Sequence, residues 1–205
     1  MINTPLIGFT GPAGAGKSTA ATILLKNHTR AMRMSFARPL KRMIYELIRE
    51  ALPKAYPHKA SDLMDDPTLK NQPLVFLGGM TPRYLMQTLG TEWGRQAVNE
   101  NFWVDLAAVK VERALGNTRH GNVDILPLKF VFDDVRFGNE AEMIRRYGGV
   151  IVRIERPDAT QDPAISGHAS EAFDFKPDMV ILNDGTPEDL QDKLLSIWPK
   201  PEKKA

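Results

Sequence analysis

The stretch Gly11-Pro12-Ala13-Gly14-Ala15-Gly16-Lys17-Ser18 constrains this chain more than any other. Two glycines separated by four residues and followed by Lys and Ser match the phosphate-loop pattern. The apolar run Leu6-Ile7-Gly8-Phe9 before it predicts a buried strand, and Thr19 to Lys26 after it predicts a helix. Glycine lets such a loop turn sharply and aim backbone N–H groups at an anion with no Cβ in the way. The positive end of the following helix adds to that field. In this reading Gly11, Ala13, Gly14, Ala15, Gly16, Lys17, Ser18 and Thr19 hold nucleotide phosphates. Lys17 reaches the β- and γ-phosphates, and the Ser18 hydroxyl holds Mg²⁺.

The remainder of the composition narrows the field by exclusion. Twenty-seven basic against 25 acidic residues leave a net charge of +2. That balance does not suit a nucleic-acid-coating surface, so no nucleic-acid polymer is expected as a partner. The chain has no cysteine, which excludes thiolate catalysis and Cys-ligated zinc, and four scattered His residues form no metal-ligand spacing. No apolar run approaches the length of a membrane span and the first residues do not resemble a signal peptide, so no membrane partner and a cytoplasmic location are expected.

Along the chain, Ala31 to Phe36 predicts a second strand, and Pro39 opens a helix with Leu40, Met43, Ile44, Leu47, Ile48, Ala51 and Leu52 at helical spacing. Lys41 and Arg42 lie in its first turn, where cations oppose the helix dipole, a placement that fits a nearby anion or a solvated outer face. Pro53 to Pro73 predicts an irregular surface excursion. Thr81-Pro82 predicts an N-cap and first-turn proline for a helix that Gly90 ends, Thr91 starts another, and a longer helix runs from Phe102 to Leu115. Trp93, Phe102 and Trp103 are expected in the core.

Pro127 to Phe132 predicts a buried strand that ends in Asp133-Asp134. Acids at the carboxyl end of a parallel strand face the ligand crevice, so an acid of this pair is expected to hold the Mg²⁺ water shell or to accept a proton, and Arg136 to clamp a phosphate. A helix over Asn139 to Tyr147, a strand over Val150 to Ile154, a last strand over Asp178 to Leu182 and a helix capped by Thr186-Pro187-Glu188-Asp189 complete the pattern. The irregular interval between Arg156 and Pro177 predicts a lid loop that carries His168. Strand and helix alternate five times, which predicts a three-layer α/β fold of about five parallel strands flanked by helices. The expected layout is one domain, with a core of residues 1–52 and 117–198, a helical substrate-binding flap at about 53–116 and a lid at about 156–177.

Phosphate loops serve GTPases, motor ATPases and small-molecule kinases alike. Neither the Asn-Lys-x-Asp nor the Asp-x-x-Gly element of Ras-like GTPases occurs here. The spread of Arg83, Arg95, Asp134, Arg136 and Arg156 suits a second, phosphorylated substrate lying in line with the γ-phosphate of ATP. A kinase for another small acceptor, such as dephospho-coenzyme A or a nucleoside, and a nucleotide-switched binding protein remain as alternatives.

The segments Arg83 to Glu92, Asp134 to Glu140, His168 to Glu171 and Asn183 to Thr186 resemble, in order, the matching stretches of bacteriophage deoxynucleoside monophosphate kinases. The resemblance implies a nucleoside-monophosphate-kinase-like fold and Mg²⁺-dependent transfer from ATP to a deoxynucleoside 5′-monophosphate, and it allows a homodimer. Carried over by position, Lys41, Arg83 and Arg136 meet the acceptor phosphate, Gln87 the base or sugar, Ser18 the metal, and Asp134 the metal or the acceptor oxygen. Arg156 stabilises charge in transit and the turn Asn183-Asp184-Gly185 borders the adenine. Between Pro53 and Met80 the resemblance lapses.

Overall fold

The computed structural model describes residues 5–119, 129–157 and 174–198. Five strands form one sheet: β1 (Leu6–Thr10), β2 (Ala31–Met34), β3 (Lys129–Phe132), β4 (Val150–Glu155) and β5 (Met179–Leu182). Their spatial order is β2-β3-β1-β4-β5, and each adjacent pair is parallel. The helices are α1 (Lys17–Asn27), α2 (Arg38–Ala51), α3 (Ala60–Asp65), α4 (Pro82–Thr88), α5 (Phe102–Arg119), α6 (Gly138–Arg146) and α7 (Pro187–Ile197). The expected parallel α/β architecture is therefore observed.

The alternation of side chains across a strand sorts the sheet's residues between two apolar layers. Leu6, Phe130, Phe132 and Ile151 pack with Val104, Ala107 and Val111 of α5 and Ala141, Met143 and Ile144 of α6. Ile7, Phe9, Val131, Val152 and Ile154 face the other way, onto Ala20, Ala21 and Leu24 of α1 and Leu190 and Leu194 of α7. Apolar residues on both faces are what a parallel sheet covered by helices requires. Each fully buried Leu, Ile or Phe in these layers contributes about 1.5–3 kcal/mol relative to exposure.

The chain divides into two compact units, Met1–Phe36 with Val104–Ala205, and Ala37–Trp103. The second unit has its own core of Ile44, Ile48, Ala60, Leu63, Met64 and Leu74. It begins at Ala37 and not at Pro53 because Ile44 and Ile48, on the buried face of α2, join that cluster. Met43 and Leu47, which the helical spacing also marks, are about half exposed.

Two local expectations for this unit fail for physical reasons. Within the stretch read as irregular, α3 buries Ala60, Leu63 and Met64, but at six residues it is too short to show helical periodicity. Gly90 does not end a helix. The chain passes from α4 directly into a π-helix over Leu89–Val98, closed by an i→i+5 bond from Asn99 N to Gly94 O. Trp103, 2% exposed, donates from its indole Nε1 to Gly90 O at 2.8 Å. A Cβ on Gly94 would lie 2.4 Å from that nitrogen, so Gly94 makes the notch that receives the ring. Trp103 is thus in the core, whereas Trp93 is 40% exposed.

Candidate functional site

The loop from Gly11 to Gly16 joins the central strand β1 to α1, and its backbone is of a kind only glycine adopts without strain. Gly11 has φ +128° and a Cβ there would meet Ile154 O at 2.2 Å; Gly16, at φ +104°, caps α1. Within this loop Lys17 Nζ donates to the carbonyls of Gly11 and Pro12, both at 2.7 Å. The helix has no side-chain cap and no acid in its first turn. Its positive end is therefore not offset by a capping carboxylate, which suits an anionic ligand. Ala13, Gly14 and Thr19 are partly or fully exposed along the same segment, while Ala15 is buried.

The turn after β5 buttresses the loop from one side. Asn183 Nδ2 donates to Ala15 O at 2.9 Å, and Asn183 N donates to Glu155 O at 2.7 Å. A Cβ on Gly16 would sit 2.6 Å from Asn183 Nδ2, so the loop glycine and the asparagine fit each other. Asp184 accepts from Lys193 at 2.8 Å, and that bond holds its carboxyl below the usual carboxylate range. Gly185 packs against Asp189, whose carboxylate accepts from Thr186 N at 2.8 Å in the predicted cap of α7. Arg156 follows the last residue of β4 and is exposed.

On the other side of β1, the end of β3 supplies the acids, and here the structure tells the two apart, giving Asp133 the place that the resemblance implies for Asp134. Asp133, not Asp134, meets the phosphate loop: Ser18 Oγ donates to Asp133 Oδ2 at 3.2 Å. Arg33 of β2 pairs with the same carboxylate, which raises the guanidinium pKa through that hydrogen bond. The carboxylate of Asp134 instead accepts from Ser35 Oγ at 2.6 Å and from Phe36 N at 3.1 Å. Parity gives the reason. Val131 faces α1, and two residues on Asp133 keeps that direction; Asp134 follows Phe130 and Phe132 toward the other face. The same alternation, continued one residue past the strand, was the available clue.

Arg136 leaves β3 on a short connection anchored by the buried Glu140. Glu140 Oε2 accepts from Arg136 N at 2.7 Å and from Phe137 N at 3.2 Å. Val135 N donates to Phe9 O at 3.1 Å, which ties the segment back to β1. Arg136 is therefore carried on a backbone fixed at three successive N–H groups.

Lys41, Arg83, Gln87 and Arg95 belong to the other unit. Lys41 is exposed in the first turn of α2, next to the exposed Arg38 and Arg42, with no acid in that turn. Thr81 Oγ1 accepts from Tyr84 N at 3.0 Å, the predicted N-cap of α4. Arg83 donates from Nε to Asn71 Oδ1, and Gln87, four residues on, shares its helix face. Arg95 Nη1 donates to Glu100 O at 3.2 Å. His168 and most of the expected lid fall outside the described residues.

A nucleotide-phosphate loop, a hydroxyl on its helix and a carboxylate on the neighbouring strand are the components of a phosphoryl-transfer site. The sequence profile of the deoxynucleotide monophosphate kinases matches residues 70–194, more than half of the 205 residues. The chain belongs to the deoxynucleotide monophosphate kinase family. It is also 27% identical over 199 residues to a protein of Acanthamoeba polyphaga mimivirus assigned by name to the deoxynucleotide monophosphate kinases, covering 93% of this chain and 94% of the relative. Among solved structures, a dephospho-CoA kinase from Campylobacter jejuni is similar at 15% identity and a TM-score of 0.45, covering 95% of this chain and 96% of that one. A tunicamycin resistance protein from Deinococcus radiodurans is similar at 10% identity and a TM-score of 0.45, covering 97% and 98%. As a member of this family the protein is a phosphotransferase that acts on nucleotides. Among the described residues no helix is long and apolar enough to cross a membrane.

Proposed function

We propose that this protein transfers the γ-phosphate of ATP to a deoxynucleoside 5′-monophosphate, giving ADP and the deoxynucleoside diphosphate. The observation that carries this reading is the hydrogen bond from Ser18 to Asp133 beside the loop that tethers Lys17, in a member of this kinase family. An oxyanion of the acceptor phosphate attacks the γ-phosphorus while the bond to the ADP oxygen breaks. Lys17 and the N–H groups of the loop hold the donor phosphates and neutralise charge that builds on them in transit. Asn183, fastened to Ala15, keeps the loop and the adenine-bordering turn with Asp184 and Gly185 in register.

The donor set fits Mg²⁺: a hydroxyl and a carboxylate are hard oxygen groups, and this cation favours one or two such groups together with phosphates and water. Ser18 and Asp133 would hold it. When bound, the ion supplies charge neutralisation at the β- and γ-phosphates. Asp134 is assigned to holding the end of β2 through Ser35 and Phe36, in place of the metal role first expected for it.

Arg136 clamps the acceptor phosphate. Lys41, Arg83 and Arg95 are further candidate cations for it, and Gln87 a candidate base or sugar contact. Arg156 stabilises charge moving from donor to acceptor, and His168 belongs to the lid that limits hydrolysis. Incubation with ATP, Mg²⁺ and each deoxynucleoside monophosphate in turn, with dephospho-coenzyme A and nucleosides as competing acceptors, tests the reading. Diphosphate should form with at least one deoxynucleoside monophosphate; transfer to none of them would refute it.

A further inference from the structure

Arg33 stands outside the set of cations considered so far. It lies on β2, an edge strand, in register with Val131 of β3. Two residues beyond Val131 its guanidinium Nη2 pairs with Asp133 Oδ2. The Ser18 hydroxyl donates to that same oxygen at 3.2 Å. A carboxylate oxygen offers two lone-pair directions, and at Oδ2 both are taken by these two donors. The Asp133 side chain is 9% exposed, whereas Arg33 is 44% exposed, so the guanidinium approaches from solvent a carboxylate that the protein surrounds.

From this arrangement we propose that Arg33 is an exchangeable counter-ion of the metal site, a positioning residue that keeps Asp133 beside Ser18 until a divalent cation and nucleotide arrive and then yields Oδ2 to them. The inference rests on the donor-site reading above. A guanidinium and a cation with its water shell cannot share one oxygen without like-charge repulsion. Only the Arg33 end of the pair is exposed, so the guanidinium can leave for solvent once a cation takes its place at the carboxylate, and an edge strand leaves the side chain room to swing away. Loss of Arg33 should therefore favour the cation twice over, by removing a competitor and by removing a positive charge.

Mn²⁺ binding in the presence of a non-hydrolysable ATP analogue, followed by electron paramagnetic resonance, tests this without turnover. Arg33→Gln should bind Mn²⁺ about three- to fivefold more tightly than the natural chain, the scale of an ion pair whose cationic end is exposed. Arg33→Lys, which keeps the charge, should bind as the natural chain does. Asp133→Asn should weaken binding by about tenfold or more, and adding Arg33→Gln to it should tighten binding less than Arg33→Gln does alone, because the competition for Oδ2 is already gone. Unchanged or weaker binding by Arg33→Gln, or equal tightening by Arg33→Lys, would overturn the role of Arg33 and leave the donor site standing. Equal binding by the natural chain and Asp133→Asn would overturn both.

Discussion

In the parallel-sheet unit, strands β1 and β3 bury apolar residues on both faces and the candidate functional groups sit where strands end. In the helical unit, Ala37–Trp103, a single cluster of six buried residues supports several short helices, and the candidate cations lie outside it. The first arrangement makes a site from backbone: glycines at positive φ, a helix end, and carbonyls that tether Lys17. The second carries its candidate cations as side chains on helix surfaces, which can change without disturbing the fold. On the proposed reading, donor chemistry is rigidly specified in one unit and acceptor choice is open to variation in the other.

The largest expected effect is at the backbone-built site. Lys17→Ala should lower turnover by about 10²–10³-fold, as for other lost electrostatic stabilisers, with acceptor binding unchanged by calorimetry. Near-normal turnover in a folded variant would break the contrast between the units. Next comes the notch for Trp103. Gly94→Ala adds a Cβ 2.4 Å from an indole nitrogen that is itself hydrogen-bonded, and should destabilise the protein by about 1–3 kcal/mol in urea unfolding, overriding the better helix propensity of alanine. Unchanged stability would mean that the ring can move.

Arg83→Ala should raise the KM for the acceptor about tenfold with little change in ATP affinity, because an exposed charge-assisted contact is removed from one substrate only. A loss confined to ATP affinity would assign Arg83 to the donor. The smallest effect concerns Tyr147, whose phenol is pushed up to about 12 by burial and by donating to Glu112. Its folded-state pKa is raised, so the stability it contributes is complete below about pH 10 and is lost as pH rises from there toward 12. Phenolate absorbance should show a step near pH 12 that Tyr147→Phe removes. Tyr45, Tyr56 and Tyr84 all belong to the helical unit, so that step reports on the sheet unit alone.

Much of the sheet unit was legible because its rules are local. A phosphate loop needs particular glycines, a buried parallel strand needs a continuous apolar run, and Thr186 with Asp189 announces a helix cap. The helical unit was less legible. Its α3 is shorter than two helical turns, Gly90 reads as a helix stop although the chain runs on into a π-helix there, and the place Gly94 makes for Trp103 leaves no local signal.

By itself the sequence determined the phosphate loop, the parallel sheet, the caps at Thr81 and Thr186, and a kinase resemblance that the family match supports. Each depends on residues close in the chain or on motifs with a fixed spacing. Only the tertiary structure decided which of two adjacent acids meets Ser18, that Asn183 fastens Ala15, and that Arg33 shares the carboxylate of Asp133. Those partners lie 115, 168 and 100 residues apart, and their meeting is set by strand order and by the direction in which each strand's last side chain points.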